Sequence, residues 1–395
     1  MISNELKRST AMNKIGKLLA CILCVTTLAG CWDRTEINDL AFVIATGLDK
    51  EGENRFRASV QVPLPSAMGG PNGGGGGTSG SEPYYVDSGF GRNVREADDD
   101  LQKRMSRQLL FSHRRIFIFG EEMAASGIEQ TLNSILEHPE SRLSTYLLIA
   151  KGDALDILTA TPHFEELPSE AVREMVKTTL NIDTRNIIND LSLPGKDPVI
   201  PVVETVKTKN KGNDEREEIQ INSTAIMKDD KLVFFTNEEE TNGIYWLLQK
   251  MKRKKETIAV DKNSELNIEI LDYKITPTYK EAHGLPEFTV KLHVEGILLQ
   301  NEARLDLEDL EIYKMATNKF ESHIKNEIEA IISHAKSEGV DPYGLGYSVY
   351  KKGNRFWEKQ LSTQWRELLP NIKVNVDVEA DIVRINNKGI KVREV

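Results

Sequence analysis

Cysteine is missing from this 395-residue chain beyond residue 31; Cys21, Cys24 and Cys31 are the only three. The body that follows therefore has no disulfide, no thiolate metal site and no cysteine nucleophile, and its stability rests on packing alone. Long apolar runs are missing too. After residue 31 no stretch approaches the roughly 20 apolar residues that a membrane-spanning helix needs. Positive charge is in deficit, with 51 Lys and Arg against 61 Asp and Glu and a net charge of −10, which argues against a general nucleic-acid binder. Catalytic signatures are also lacking. There is no His-Glu-x-x-His pair, no Gly-x-Ser-x-Gly elbow and no Gly-x-Gly-x-x-Gly turn after a strand; Gly344-Leu345-Gly346 lacks the third glycine and the strand. No cofactor is expected.

The start of the chain is rich in information. Lys14 and Lys17 precede the apolar run LLACILCVTTL from Leu18 to Leu28, which ends in Leu28-Ala29-Gly30-Cys31. A positive region, a short apolar core and small residues at the cut make a secretory signal. The Cys directly after Leu-Ala-Gly has the form of a bacterial lipobox. Its thiol would take a diacylglycerol, the chain would be cut before Cys31, and the new amine would be acylated. Two or more acyl chains on one residue anchor firmly where one is marginal. Met12 offers a second start that would make the signal more compact.

Removal of the signal leaves about 365 residues, enough for two or three domains. Residues 40–48 and 55–62 read as a hairpin. The stretch Gly69–Gly80 has 8 glycines in 12 residues, cannot repay its ordering entropy and is expected to be mobile. Helical spacing of Val94, Ala97, Leu101 and Met105, the strand run 115–119, a helical stretch from Met123 to Leu136, the strand 145–150 and a helix opened by Pro168 predict an α/β unit over residues 31–205. A charged segment at 207–218 suggests a linker. A second hairpin around Lys228-Asp229-Asp230-Lys231, a helix with Ile244, Trp246, Leu247 and Leu248, and the alternating strand Leu266, Ile268, Ile270 predict a middle α+β unit over 206–287.

Alternation at Phe288, Val290, Leu292 and Val294 opens a third unit over 288–395. It continues with a helix from Ile312 carrying Met315, Phe320, Ile324, Ile328, Ile331 and Ala335, and a helix capped by Asn354 with Phe356, Trp357, Leu361, Trp365 and Leu368. Strand Ile372–Val378 closes it, giving helices on one face of an antiparallel-type sheet. The fold class is thus mixed α/β and α+β, an elongated three-domain arrangement in which each domain is a small sheet with packed helices.

Several residues invite functional readings. His323 and His334, eleven apart on one predicted helix, read as an exposed pair rather than a metal site. The acidic runs Asp98–Asp100 and Glu238–Glu240 read as helix-start dipole partners. His113-Arg114-Arg115 reads as the polar lip of a strand, and the cations at 250–255 as a solvated helix end. In the turn Asp341–Gly346, the side chains of Tyr343, Leu345 and Tyr347 crowd beside two glycines, a composition suited to an exposed partner-contact loop.

Four stretches carry a resemblance. Cys31-Trp32-Asp33-Arg34-Thr35-Glu36-Ile37-Asn38-Asp39-Leu40 running into AFVIATGLDK, the segment 223–248, the Asp341-Pro342-Tyr343-Gly344-Leu345-Gly346 turn and the closing strand pair from Asn371 follow one another behind the lipobox. Together they resemble the Ger(x)C family, the C subunits of spore germinant receptors, over nearly the whole mature chain. The resemblance implies a lipoprotein with an N-palmitoyl, S-diacylglycerol Cys31 on the outer face of the spore inner membrane. It would be non-catalytic, scaffolding or coupling the integral-membrane B subunit and the A subunit. A solute-binding lipoprotein of a transporter is the alternative, which would need two similar lobes around an apolar pocket.

Overall fold

The computed structural model describes residue 17 and residues 36–64, 83–137, 139–208, 217–260, 264–302 and 304–383. Cys31 and the signal run, the Gly69–Gly80 stretch and the end of the closing strand pair beyond Val383 lie outside the described residues. Among the described residues, mixed α/β architecture is built on three sheets of eight, four and two strands.

The large sheet has a parallel centre flanked by antiparallel hairpins. Strands β2 (Ala45–Lys50), β6 (Ile116–Phe119), β7 (Tyr146–Ala150) and β8 (Val199–Lys207) run parallel. Strands β3 (Phe56–Pro63) and β4 (Tyr84–Gly91) extend one edge; β9 (Glu217–Lys228) and β10 (Lys231–Phe235) extend the other. Parallel strands are covered on both faces, so their residues read as continuous apolar runs. Period-two alternation then divides them. Phe117, Phe119, Leu147 and Ile149 enter one core, while Ile116, Ile118, Leu148 and Ala150 enter the other. Strand β1 (Leu40–Phe42) stands apart and pairs in parallel with β5 (Gln108–Leu110).

Helices of this half are α1 (Val94–Gln102), α2 (Glu121–Ser126), α3 (Glu129–Leu136), α4 (Ala154–Thr159), α5 (Pro168–Thr178) and α6 (Thr184–Ser192). The periodic stretch from Met123 to Leu136 is two helices rather than one, because the chain turns at Gly127 so that the Ile128 N–H donates to Asp230 O at 3.0 Å. Helix α1 ends before Met105, and Asp98–Asp100 lie inside it rather than at its start.

Helix α7 (Glu238–Leu247) follows β10 with a full capping box between Asn237 and Glu240, as the acidic run predicts. The four-stranded sheet comes next: β11 (Lys255–Ala259), β12 (Glu265–Ala282), β13 (Leu285–Asn301) and β14 (Val374–Val383). Long helix α8 (Leu310–Ser337) packs across it, buries Phe320, Ile324, Ile328, Ile331 and Ala335 as its stripe predicts, and leaves Met315 exposed.

Four sequence expectations change here. The 206–287 segment is not a separate unit: β9 and β10 complete the large sheet, while β11 and β12 belong to the small one. The 287/288 boundary falls within β13, which pairs with β12 from Leu285 to Asn301. Strand β14 lies parallel to β13, since α8, α9 (Leu345–Lys352), α10 (Asn354–Phe356) and α11 (Trp365–Leu368) form a crossover rather than a hairpin return. The helix expected from Asn354 is broken. Gly353 precedes its three-residue start, and a π-helical turn at Trp357–Leu361 interrupts it so that Trp357, Leu361 and Trp365 share one buried cluster.

Candidate functional site

Two constellations are assembled from residues far apart in the chain, and the first of them joins the large-sheet half to the small-sheet half. The first is centred on Asp197, in the loop before β8 and only 2% exposed. Its carboxylate takes both arms of Arg366 on α11, at 2.8 and 2.9 Å. It also accepts the Asp341 N–H at 2.8 Å and the Asp229 N–H at 3.0 Å. A fork-to-fork pair with both oxygens further satisfied by backbone is the geometry in which a buried charge is stable.

Asp341 continues the joint. It accepts N–H groups from Leu345 at 2.9 Å and Gly346 at 2.7 Å, its own carbonyl takes the Asp197 N–H at 2.9 Å, and burial pushes its carboxyl up to about 7. At Gly346 any side chain would meet the Gly195 Cα at 2.8 Å and the Trp365 ring at 2.7 Å. The turn expected as an exposed contact loop is therefore an internal joint. Leu345 is 4% exposed in a cluster with Trp357 and Trp365, and Tyr343 is half-buried with its hydroxyl near Ile332 O at 3.4 Å. Tyr347 is half-buried and stacked on Tyr350. Contact-loop composition and joint composition coincide here, because glycines allow close approach in either case.

The second constellation lies in a cleft of about 840 Å3 between α7, β11 and α8. His323 Nε2 stands 3.3 Å from Glu256 and 3.4 Å from Glu327, both buried carboxylates. Glu327 is held by Trp246 Nε1 and Asn242 Nδ2, each donating at 2.8 Å. Donation of its Nε2–H to the Glu256 and Glu327 carboxylates raises His323 to about 10, so the ring is an imidazolium at neutral pH. Burial pushes Glu256 above its ordinary range. One oxygen from each carboxylate and one ring nitrogen all fall within 4.8 Å, a donor set that a divalent cation could also use. His323 and His334 are thus not an exposed pair. His334 instead pairs with Glu240 at 2.7 Å and stacks on Phe234 at 3.8 Å. The i, i+4 spacing of His323 and Glu327 is visible in the sequence; Glu256 comes from another strand and left no local signal.

This arrangement sets a pH dependence. His323 keeps its proton in the folded chain up to about 10, whereas in the unfolded chain it loses it near 6.5. Its stabilisation is full below 6.5 and is lost as pH rises towards 10, so stability falls with pH across that window. The ring is about a third exposed, and screening leaves on the order of 1–2 kcal/mol. Denaturant unfolding followed between about pH 7.5 and 9.5 should show this decline, and His323→Gln should flatten it. An unchanged slope in the variant would remove His323 as its source.

Arg114, expected on a polar lip, is 8% exposed, lies over the Phe111 and Phe117 rings, and is held down to about 10 by burial. Beside it, burial pushes Asp98 up to about 7. At 250–255 the cations are mixed: Lys252 and Lys255 are exposed, whereas Lys254 covers the Tyr245 ring at 4.2 Å.

With the geometry described, similarity to other proteins can be weighed. Residues 33–205 match the family described as "Spore germination protein N-terminal domain", and residues 222–386 match "Spore germination B3/ GerAC like, C-terminal". The chain belongs to this spore germination family. Among its relatives, "Putative spore germination protein YfkR" of Bacillus subtilis (strain 168) is 30% identical over 94% of this chain and 95% of its own length. "Spore germination protein KC" of the same organism is 26% identical over 94% of this chain and 96% of its own. A solved structure, "Crystal Structure of the GerBC protein", shares the fold with a TM-score of 0.54 at 18% identity, over 86% of this chain and 96% of that one. The Asp341–Gly346 joint and the His323 cleft both lie inside the C-terminal match.

Proposed function

We propose that this chain is a lipid-anchored, non-catalytic subunit of a spore germinant receptor, tethered through Cys31 to the outer face of the spore inner membrane. There it holds or couples the integral-membrane receptor subunits during nutrient-triggered germination. The observation that carries the reading is position. The lipobox Leu28-Ala29-Gly30-Cys31 ends two residues before the family match begins at residue 33, so the anchor leads straight into the first family domain. Among the described residues no helix is long and apolar enough to cross a membrane. The Asp197 joint supports a scaffold. It uses a buried ion pair to hold both halves in one geometry, which a coupling element needs and a hinged two-lobed binder does not. The solute-binding alternative asks for an apolar pocket, whereas the cleft at α7 and α8 is lined by Glu238, Glu239, Asn242, Arg253, Lys255 and similar polar groups.

Cys31→Ala should leave the body folded and move it from the membrane to the soluble fraction. Signal processing is to be checked on the same sample, because an uncleaved leader also retains protein. A processed variant that stays on membranes washed with 1 M salt, without its partner subunits, would defeat the anchor.

A further inference from the structure

Before the first residues of β6 and β7, at the N-terminal ends of the parallel strands, lies a pocket of about 320 Å3 lined by His113, Arg114, Arg115, Arg142, Arg173 and Lys177. This is a local excess of positive charge in a chain of net charge −10. Its carboxylate neighbours are too few to cancel it. Glu170 serves both Arg115 and Arg173, Glu174 serves both Arg173 and Lys177, and Asp98 stands near Arg114. Arg142 is exposed and has no side-chain partner among the described residues, and the Arg114 Nε–H is buried without one.

The second observation is where the chain enters the fold. The Phe42 ring packs edge-on against His113 at 5.2 Å, and the Arg115 N–H donates to Ile44 O at 2.8 Å. The segment coming from Cys31 therefore joins the body against the very residues that line the pocket. Eight residues separate Cys31 from β1, a reach of about 30 Å when extended. Exposed apolar side chains accompany the cations: Ile37 on this arm is 74% exposed, and Leu143 beside Arg142 is 43% exposed.

We propose that this basic pocket is a docking surface for the anionic bilayer, its exposed Arg115, Arg142 and Lys177 taking lipid phosphate groups while Leu143 and Ile37 meet the interface. Guanidinium forks suit phosphate oxygens, and cations near an anionic leaflet add attraction that fades within a Debye length. The surface would work with the lipid at Cys31 and set the orientation in which the body stands on the membrane. It rests on the anchor reading above.

The test uses the chain from Trp32 to Val395 made without its leader, so that docking is read without lipid, while the Cys31→Ala fractionation, done after a 1 M salt wash that releases docked protein, reads the anchor alone. Co-sedimentation with vesicles of phosphatidylglycerol and phosphatidylcholine should exceed that with phosphatidylcholine alone by at least tenfold, and should collapse in 1 M salt. Arg142→Glu with Lys177→Glu should lower the anionic binding about tenfold at an unchanged melting temperature. Lys252→Glu with Lys255→Glu, an equal change in net charge elsewhere, should leave it intact. Equal binding to neutral vesicles, binding that survives the Arg142/Lys177 reversal, or equal loss in the Lys252/Lys255 control would each overturn the proposal.

Discussion

Asp197→Ala is expected to destabilise the chain by about 3–5 kcal/mol, the cost typical of breaking a buried pair by removing one partner. The substitution takes from the Arg366 guanidinium its two-pronged partner, leaving it only Asp229 and the Gly339 carbonyl, and strips two backbone donors, the N–H groups of Asp341 and Asp229, of their acceptor. Surface ion pairs are worth little, but this carboxylate is 2% exposed and has no water to fall back on. In thermal unfolding the midpoint should drop by roughly 4–7 °C for a body of this size. Arg366→Ala in the Asp197→Ala background should then cost little more, because the two losses share one interaction. Strictly additive losses would mean that the pair does not join the halves as described.

Gly243→Ala is expected to cost about 3 kcal/mol, against what helix propensity predicts. In an exposed helix interior, alanine stabilises relative to glycine by about 1 kcal/mol. At this position a Cβ would lie 2.2 Å from the Glu327 carbonyl oxygen and 2.7 Å from Ile331, so α7 must lift off α8. Backbone cannot step aside as a flexible side chain would, and the clash outweighs the propensity gain. The shift should also disturb the Trp246–Glu327 hydrogen bond, so indole fluorescence should change together with the loss of stability. A variant as stable as its parent would show that the helices do not approach this closely.

Much of the fold is legible locally. The alternation in β12 and β13, the hairpin around Asp229, the stripe on α8 and the Pro168 start of α5 all follow from one-residue rules about period and turn chemistry. Where expectation and structure part, the deciding contact is distant. The break at Gly127 depends on Asp230, and the parallel course of β14 depends on a four-helix crossover that periodicity does not orient. The turn at Tyr343 and Leu345 has a composition that suits exposure, yet Asp197 and Trp365 bury it.

The sequence by itself determined the mixed α/β class, the absence of cysteine from the body and the family likeness, because each of these is written in neighbouring residues. Only the tertiary structure decided which charges meet. Asp197 and Arg366 are 169 positions apart and Glu256 and His323 are 67 apart, and the cations of the basic pocket come from the β6 and β7 approaches and from α5. Charge carries no period along a chain. An ionisable residue reads as solvated until closure of the fold strips its water and supplies its partner, and in this molecule that closure turns scattered Asp, Glu, His and Arg residues into the Asp197 joint and the His323 cluster.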